Sequence, residues 1–297
     1  MHVVDPHIHL WNLDTLNYPW LMNPGETFMG DYRSIAKNHG VLEFLDGAGD
    51  IKVEKVVHVE AAHDPSDPLA ETTWLQSVAD APESGGMPQG IVSYADLSRP
   101  DVEDLLAAHS AFPNVRGIRQ ILNVHSDPLH DYVGRHFMRE PEWRAGFALL
   151  GRYDLSFDLQ IYPSQMAEAA ELAREHPDTT LILNHAGMFV DRSTVAGWRE
   201  WRDGMRALAN CPNIAVKISG LGMVDHRWTV ESLRPYVLET IDAFGVERCM
   251  FASNFPVDRL YSTYQDLWTA YGEIISGASD SEKAALFREN AERIYRI

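Results

Sequence analysis

The fold is decided by residues 214–252, IAVKISGLGMVDHRWTVESLRPYVLETIDAFGVERCMFA. Two short runs of apolar and β-branched residues, 214–218 and 249–252, predict two strands. Between them, apolar residues recur at helical spacing at Val230, Leu233, Val237, Ile241 and Phe244. Thr229 and Gly245 flank this repeat, and these residue types are typical of a helix start and a helix end. A strand, a helix and a second strand in this order predict parallel pairing through a right-handed crossover.

The same unit recurs along the whole chain. Strand-like runs that end in turn or polar residues occur at 3–4, 56–59, 90–93, 115–121, 157–161, 180–183, 214–218 and 249–252. Helical patterns lie between most of them: Ser98 with Asp101 predicts a capping box before one, and the last helix is predicted from about Ser281. Eight units of about 37 residues favour a single (β/α)8 TIM barrel over a doubly wound sheet. No linker divides the chain, so residues 1–297 are predicted to be one domain.

The composition excludes several classes of partner. The chain has 25 Lys and Arg against 43 Asp and Glu, a formal charge of −18. Such an acidic surface disfavours nucleic acid and anionic membranes, so a small molecule is the expected partner, and a homo-oligomer is compatible with the sequence. Neither a signal peptide nor a long apolar segment is visible, which predicts a cytoplasmic protein. Cys211 and Cys249 lack the spacing of a thiolate zinc site.

Polar residues close several of the predicted strands. Active sites of TIM barrels lie where the strands meet their following loops, so these residues are the first functional candidates. The first strand ends in Asp5-Pro-His7-Ile-His9, and strand alternation sends His7 and His9 to the same side. Two imidazoles so placed form a natural pair of metal ligands. The sixth strand ends in Asn184-His185-Ala-Gly187 and the eighth in Ser253-Asn254-Phe-Pro256.

This series of motifs resembles the amidohydrolase superfamily, and specifically its amidohydrolase-2 branch. That branch includes fuconolactonase-like, sulfomuconolactone and pyrone-dicarboxylate hydrolases. Further matches run from end to end of the chain: Tyr18-Pro-Trp-Leu21, Arg116-Gly-Ile-Arg119, Asp158-Leu-Gln160 and Asn290-Ala-x-Arg293-x-Tyr295. The resemblance implies a metal or substrate-oxygen site at His7 and His9, with His185 beside it.

Two positions depart from the family pattern. Gln160 stands where many members carry a histidine, and no bridging lysine is visible, so a binuclear metal centre is not expected. Asn254 replaces the aspartate that takes the proton of the attacking water. An amide cannot act as a general base, although it can ligate a metal or orient a water molecule. Glu60 and Asp258 are the candidates to replace it; alternatively, Glu60 forms an ion pair with Arg116 or Arg119.

Other candidates would bind the substrate. Arg116, Arg119 and Lys217 lie in or beside predicted strands and could hold an anionic group or a developing oxyanion, or form salt bridges. Gln160 closes the fifth strand. The long segment 11–50 carries Trp20 and other aromatic residues, and is interpreted either as a substrate wall or as aromatic packing over the barrel rim.

The leading hypothesis is a hydrolase that opens a small lactone or related cyclic ester, acidic or sugar-derived, with His185, Asn254 and Glu60 as catalytic residues. One version uses a single divalent ion, zinc or manganese, held by His7 and His9 with His185 or Glu60 adjacent. A metal-free version holds the carbonyl oxygen with the imidazoles and Arg119 or Lys217. A metal-dependent decarboxylase is an alternative, as is a catalytically silent ligand-binding barrel, which the amide at position 254 would explain.

Overall fold

Eight parallel strands form a barrel in the computed structural model, which describes residues 1–297. They pair in chain order, and all eight predicted strands are present. The strands are β1 (His2–Ile8), β2 (Lys52–Val59), β3 (Gly90–Tyr94), β4 (Val115–Ile121), β5 (Ser156–Gln160), β6 (Leu181–Leu183), β7 (Ile214–Ile218) and β8 (Cys249–Phe251). The predicted (β/α)8 architecture is therefore confirmed.

The barrel closes at its upper rim, where the residues after β8 meet the end of β1. Ile8 and Phe255 form a parallel bridge across this seam. The His9 N–H donates to the Phe255 carbonyl oxygen at 2.8 Å, and the Asn254 N–H donates to the His7 carbonyl oxygen at 2.8 Å. The hydrogen bonds that close the barrel therefore also bring the functional candidates of its first and last strands together.

Helices surround the barrel. They are α1 (Pro19–Met22), α2 (Val41–Asp46), α3 (Ala70–Asp80), α4 (Val102–Ser110), α5 (Pro141–Phe147), α6 (Met166–Glu175), α7 (Val195–Ala209), α8 (Val230–Phe244), α9 (Tyr264–Ile274), α10 (Asp280–Ala284) and α11 (Asn290–Tyr295). A π-helical turn, Ala285–Glu289, joins the last two. Short 3-10 helices lie at Arg33–Ile35, Pro82–Ser84, Phe137–Arg139, Leu150–Tyr153, Pro163–Gln165, His185–Gly187, Leu221–Met223, Val246–Arg248 and Val257–Leu260. None of the helices is both long and apolar enough to cross a membrane.

The helix boundaries follow local chemistry, with one correction to the sequence analysis. As predicted, the Thr229 hydroxyl accepts the Ser232 N–H at the start of α8, and Gly245 ends that helix at φ 76°. The predicted capping box at Ser98 is wrong. The Ser98 hydroxyl donates to Asp96 at 2.7 Å, and α4 begins at Val102 without a side-chain cap. A nearer carboxylate therefore takes the hydroxyl that would otherwise cap the helix.

The lower end of the barrel is sealed by the last helix. A small apolar cluster inside the barrel joins strand residues such as Val4, Val57 and Met250 to Ile294 and Tyr295 of α11. The Tyr295 side chain is fully buried, and its hydroxyl reaches both oxygens of Asp158 on β5, at 2.9 and 3.0 Å. Because this end is filled by side chains, the barrel is accessible at its upper rim.

The segment after β1 lies over that rim. It contains α1, α2 and a small β-hairpin whose two strands, Glu26–Thr27 and Gly30–Asp31, have two residues each. Its apolar residues form a cluster with residues that follow other strands: Trp11, Tyr18, Leu21, Met29, Tyr32, Ile35, Ala61, Tyr162, Met188, Met223 and Val257. The aromatic residues of this segment pack over the barrel rim, and some of them also line a pocket there. Aromatic packing and a pocket wall, the two interpretations of the segment, therefore both apply.

Candidate active site

A pocket of about 860 Å³ opens at the upper rim of the barrel. Six of the residues predicted from the strand ends form its polar floor: His9, Glu60, Arg119, Gln160, His185 and Asn254. Trp20 from the long first loop lines its wall. The structure therefore brings together seven residues that lie far apart in the sequence.

The imidazole of His9 has a defined tautomer. Its Nδ1 lies 2.7 Å from the Val59 carbonyl oxygen, which can only accept a hydrogen bond. The proton must therefore be on Nδ1, and Nε2 carries a lone pair. Burial, together with the nearby Arg119 guanidinium, holds the pKa of His9 well below its usual value. The ring is consequently neutral at physiological pH and presents an unprotonated nitrogen.

That nitrogen faces the side chain of Asn254. The Asn254 amide nitrogen donates to Asp258 Oδ2 at 2.9 Å, which leaves its carbonyl oxygen 3.3 Å from His9 Nε2. Asn254 has φ 60°, a left-handed conformation that asparagine tolerates better than most residues. Two hydrogen-bond acceptors therefore lie side by side on the pocket floor.

Asp258 fixes the direction of that amide. The carboxyl group is buried, is hydrogen-bonded by the backbone of Gly222 and Met223, and has its pKa raised by burial to about 7. A Cβ on Gly222 would lie 2.5 Å from Asp258 Oδ1, so only glycine allows this approach. The sequence analysis named Asp258 as a candidate base; the structure places it behind Asn254 and outside the residues that line the pocket.

Arg119 and Glu60 form a buried ion pair on the same floor. The Arg119 Nε–H donates to Glu60 Oε1 at 2.7 Å, Nη1 donates to Gln160 Oε1 at 2.9 Å, and Nη2 donates to the Glu60 carbonyl oxygen. Glu60 Oε2 accepts the Ala62 N–H at 2.8 Å. Of the alternatives for Glu60, the structure shows the ion pair. A guanidinium has five N–H donors, so two remain for a ligand.

His185 is held by a sharp turn after β6. His185 and Ala186 both have positive φ, 55° and 47°, and the His185 Nδ1 lies 3.0 Å from the Ser219 hydroxyl. Gly220, at φ 62°, allows this approach, because a Cβ there would lie 2.5 Å from His185 Nδ1. Burial and the cations Arg119 and Lys217 hold the His185 pKa well below its usual value. His185 is thus a second neutral imidazole in the pocket.

The three predicted metal ligands lie next to one another, although they do not form a complete metal-binding group. The His7 ring lies 5.0 Å from the His9 ring and 4.6 Å from the His185 ring, measured between centroids, and both of its nitrogens lack a partner. No group of three or more His, Cys, Asp or Glu side chains is arranged to hold a metal ion. The cations Arg119 and Lys217 add positive charge beside the imidazoles. His7, His9 and His185 are the residues that would hold a divalent ion, and the two unpartnered nitrogens of His7 are free to take part.

Two predicted substrate residues lie outside the pocket, which corrects the sequence analysis. Lys217 is fully buried and paired with Asp158 inside the barrel. Arg116 lies at the opposite end of the barrel, where its guanidinium donates to the carbonyl oxygens of Pro113 and Arg296. Both are therefore tied to structural partners that a ligand at the upper rim does not contact.

Known proteins match this chain over almost its whole length. A family model described as Amidohydrolase matches residues 4–297. The chain belongs to the amidohydrolase family. It is 50% identical over 297 residues to an uncharacterized protein, y4mH, of Sinorhizobium fredii, covering 99% of this chain and 98% of that one. It is 26% identical to the L-fucono-1,5-lactonase of Burkholderia ambifaria, covering 99% and 95%. A zinc-bound amidohydrolase structure from Burkholderia multivorans has a TM-score of 0.78 at 23% identity, covering all of both chains.

Within this amidohydrolase, the sequence analysis missed several pocket residues. Tyr94 and Tyr132 line the wall, and the Val59 carbonyl sets the His9 tautomer. Tyr132 comes from a long loop whose path no local pattern reveals. A backbone carbonyl carries no sequence signal at all. Only Tyr94, which directly follows the predicted strand 90–93, could have been found by the rule that drew attention to the other strand ends.

Proposed function

We propose that this amidohydrolase opens a lactone or a related cyclic ester by attack of a water molecule held at His9 and Asn254. The observation that carries the proposal is the pair of acceptors on the pocket floor, His9 Nε2 and Asn254 Oδ1, 3.3 Å apart. A water molecule is the natural donor to two such acceptors. Family membership and lactonase relatives at 26% identity support the reaction class.

The pocket residues can carry the proton and the charge of such a reaction. The water oxygen attacks the carbonyl carbon while His9 Nε2 takes a proton from it, and Asn254 Oδ1 orients the second O–H. The carbonyl oxygen becomes an oxyanion that accepts hydrogen bonds from the free N–H groups of Arg119. When the intermediate collapses, the ring C–O bond breaks and the ring oxygen takes the proton from His9, which gives a hydroxy acid.

The remaining floor residues support these steps. Glu60 and Gln160 hold the Arg119 guanidinium in place, so that its free donors have a fixed direction. His185 offers a second neutral imidazole with which the substrate oxygens can form a hydrogen bond. Because Glu60 already accepts hydrogen bonds on both carboxylate oxygens, His9 is the better base.

The test is lactone hydrolysis by the wild type and by His9→Gln, followed as release of acid. We expect kcat/KM to fall at least about a hundredfold, because the variant has no group that takes the proton of water. His176→Gln is the matched control, since His176 lies at the far end of α6. Elemental analysis and assays after chelation test the metal-dependent version at the same time. Unchanged turnover in His9→Gln refutes the assignment, and release of carbon dioxide without loss of a ring ester indicates a decarboxylase.

A further inference from the structure

The pocket is much larger than its polar floor. Its volume is about 860 Å³. A sugar lactone of about eleven non-hydrogen atoms fills roughly 330 Å³ even if each atom takes the 30 Å³ or so of a liquid water molecule. More than half of the pocket would remain empty around such a substrate. The part of the pocket above the floor therefore has its own binding capacity.

The upper part is walled by aromatic side chains from two loops. Trp20, Phe28 and Tyr32 come from the loop after β1, and Tyr132 comes from the loop after β4. The two loops meet where the Phe28 and Tyr132 rings pack edge to face, with centroids 6.0 Å apart. Met188 and Met223 extend the apolar wall. The wall is thus continuous from one loop to the other.

Two of the aromatic residues have already used their polar atoms. The Trp20 indole N–H donates to the Ala61 carbonyl oxygen at 2.8 Å, and the Tyr32 hydroxyl donates to the Trp20 carbonyl oxygen at 3.2 Å. What they present to the pocket is therefore ring surface. Hydroxyl groups of a sugar ring that faced these two side chains would have no partner there, which is unfavourable.

From these observations we propose that the substrate is a lactone that carries an aryl group. The ring ester lies at His9 and Arg119, and the aryl group lies between the loops after β1 and β4. Flat rings pack well against aromatic side chains and bury much apolar surface there. The inference rests on the proposed lactone hydrolysis, since it assigns the part of the same pocket that the chemistry does not use.

The experiment compares three probes: δ-valerolactone, the same ring bearing a phenyl group, and a six-carbon aldono-1,5-lactone. We expect kcat/KM for the phenyl lactone to exceed that for each of the other two at least about tenfold. Phe28→Ala should lower kcat/KM for the phenyl lactone at least about fivefold more than for δ-valerolactone, because it removes ring surface from the wall. Leu42→Ala is the control, because Leu42 is 61% exposed in the same loop and outside the pocket.

The outcomes separate the two proposals. A phenyl preference that Phe28→Ala reduces and Leu42→Ala preserves supports the inference. Equal rates for the three probes, a preference for the aldonolactone, or a phenyl preference that Phe28→Ala leaves intact overturns it, while lactone hydrolysis as such stands. If no lactone is hydrolysed by the wild type, the proposed function itself fails. Circular dichroism of both variants shows whether a lost preference reflects the pocket or the fold.

Discussion

Two buried carboxylates, Asp158 inside the barrel and Asp258 at its rim, have opposite surroundings. Asp158 is bound by the Lys217 ammonium group, the Tyr295 hydroxyl and the Asn184 amide. Asp258 has no cation within salt-bridge distance and is held by the Asn254 amide and by backbone N–H groups. Both side chains are almost completely shielded from solvent. Burial alone therefore does not distinguish them; their partners do.

The difference separates a structural network from a functional one. Asp158 is paired with a full positive charge, and its partners belong to strands and to the sealing helix. Asp258 has only neutral donors bound to it, and these lower its pKa less than burial raises it, so that the pKa is about 7. Its side-chain partner, Asn254, reaches the pocket floor. A change at Asp158 should consequently alter stability, whereas a change at Asp258 should alter chemistry.

The largest expected effect is the loss of stability in Lys217→Met. This substitution leaves Asp158 buried without its cation, which typically costs about 3–5 kcal/mol in the free energy of unfolding. Urea denaturation followed by fluorescence measures it. Lys37→Met is the matched control, because Lys37 is exposed and takes part in no salt bridge. A loss below about 1 kcal/mol would show that the network around Asp158 contributes little.

The next effect is on activity, in Asp258→Asn. The new amide at position 258 can donate to Asn254 Oδ1, which turns the Asn254 amide so that its nitrogen donates to His9 Nε2. The base is then occupied, and we expect kcat/KM to fall at least about tenfold with little change in stability. Steady-state kinetics and urea denaturation measure the two quantities. Asp203→Asn, an exposed substitution, is the control. Wild-type kinetics in Asp258→Asn would mean that the direction of the Asn254 amide does not matter.

A pH profile examines the same contact without a large change in structure. Protonated Asp258 donates to Asn254 Oδ1 as the substituted amide does, so activity should fall as pH drops through about 7, to roughly one tenth between pH 8 and pH 6. His9 does not titrate in this interval, because its pKa lies well below 6.5. The acid limb in kcat/KM should disappear in Asp258→Asn. If kcat/KM still falls at acid pH in Asp258→Asn, the titrating group is not Asp258.

The smallest effect is expected in Tyr295→Phe. The variant loses the hydroxyl that reaches Asp158 but keeps the ring that fills the barrel end, so stability should fall by about 1 kcal/mol. Since Lys217 and Asn184 still bind Asp158, kcat/KM should stay within about twofold of the wild type. Thermal unfolding and lactone assays measure the two changes. A large loss of activity would show that the network around Asp158 also affects the chemistry in the pocket. Asp158 and Asp258 would then not differ in role as stated above.

The sequence predicted the barrel and most of the pocket floor because the ends of strands can be recognised locally. In this fold the residues at those ends line the active site. The sequence did not predict how deep in the barrel a given side chain lies. Arg116 and Arg119 lie three residues apart on one strand, so they point to opposite faces and are also about 10 Å apart along it; only Arg119 lines the pocket. Lys217 faces the barrel interior as alternation predicts, but Asp158 binds it below the floor. Alternation assigns a face and says nothing of depth.

The arrangement of the predicted metal ligands could not be read from the sequence for a related reason. The spacing of His7 and His9 places both imidazoles on one side, yet coordination needs nitrogens that converge on a point, and ring orientation depends on distant partners. For His9 that partner is the Val59 carbonyl on β2. Such contacts arise only when the barrel closes, so no pattern within one strand can report them.

Tyr295 has a further consequence for how the chain folds during its synthesis. The barrel's inner cluster and the network around Asp158 both require α11, whose residues leave the ribosome after all eight strands. Until then the ion pair of Lys217 and Asp158 lacks the hydrogen bond from the Tyr295 hydroxyl, and water can enter the lower end of the barrel. The nascent barrel should therefore remain loosely packed until release of residues 290–297, and a stalled chain lacking them should be more sensitive to proteases than the finished protein.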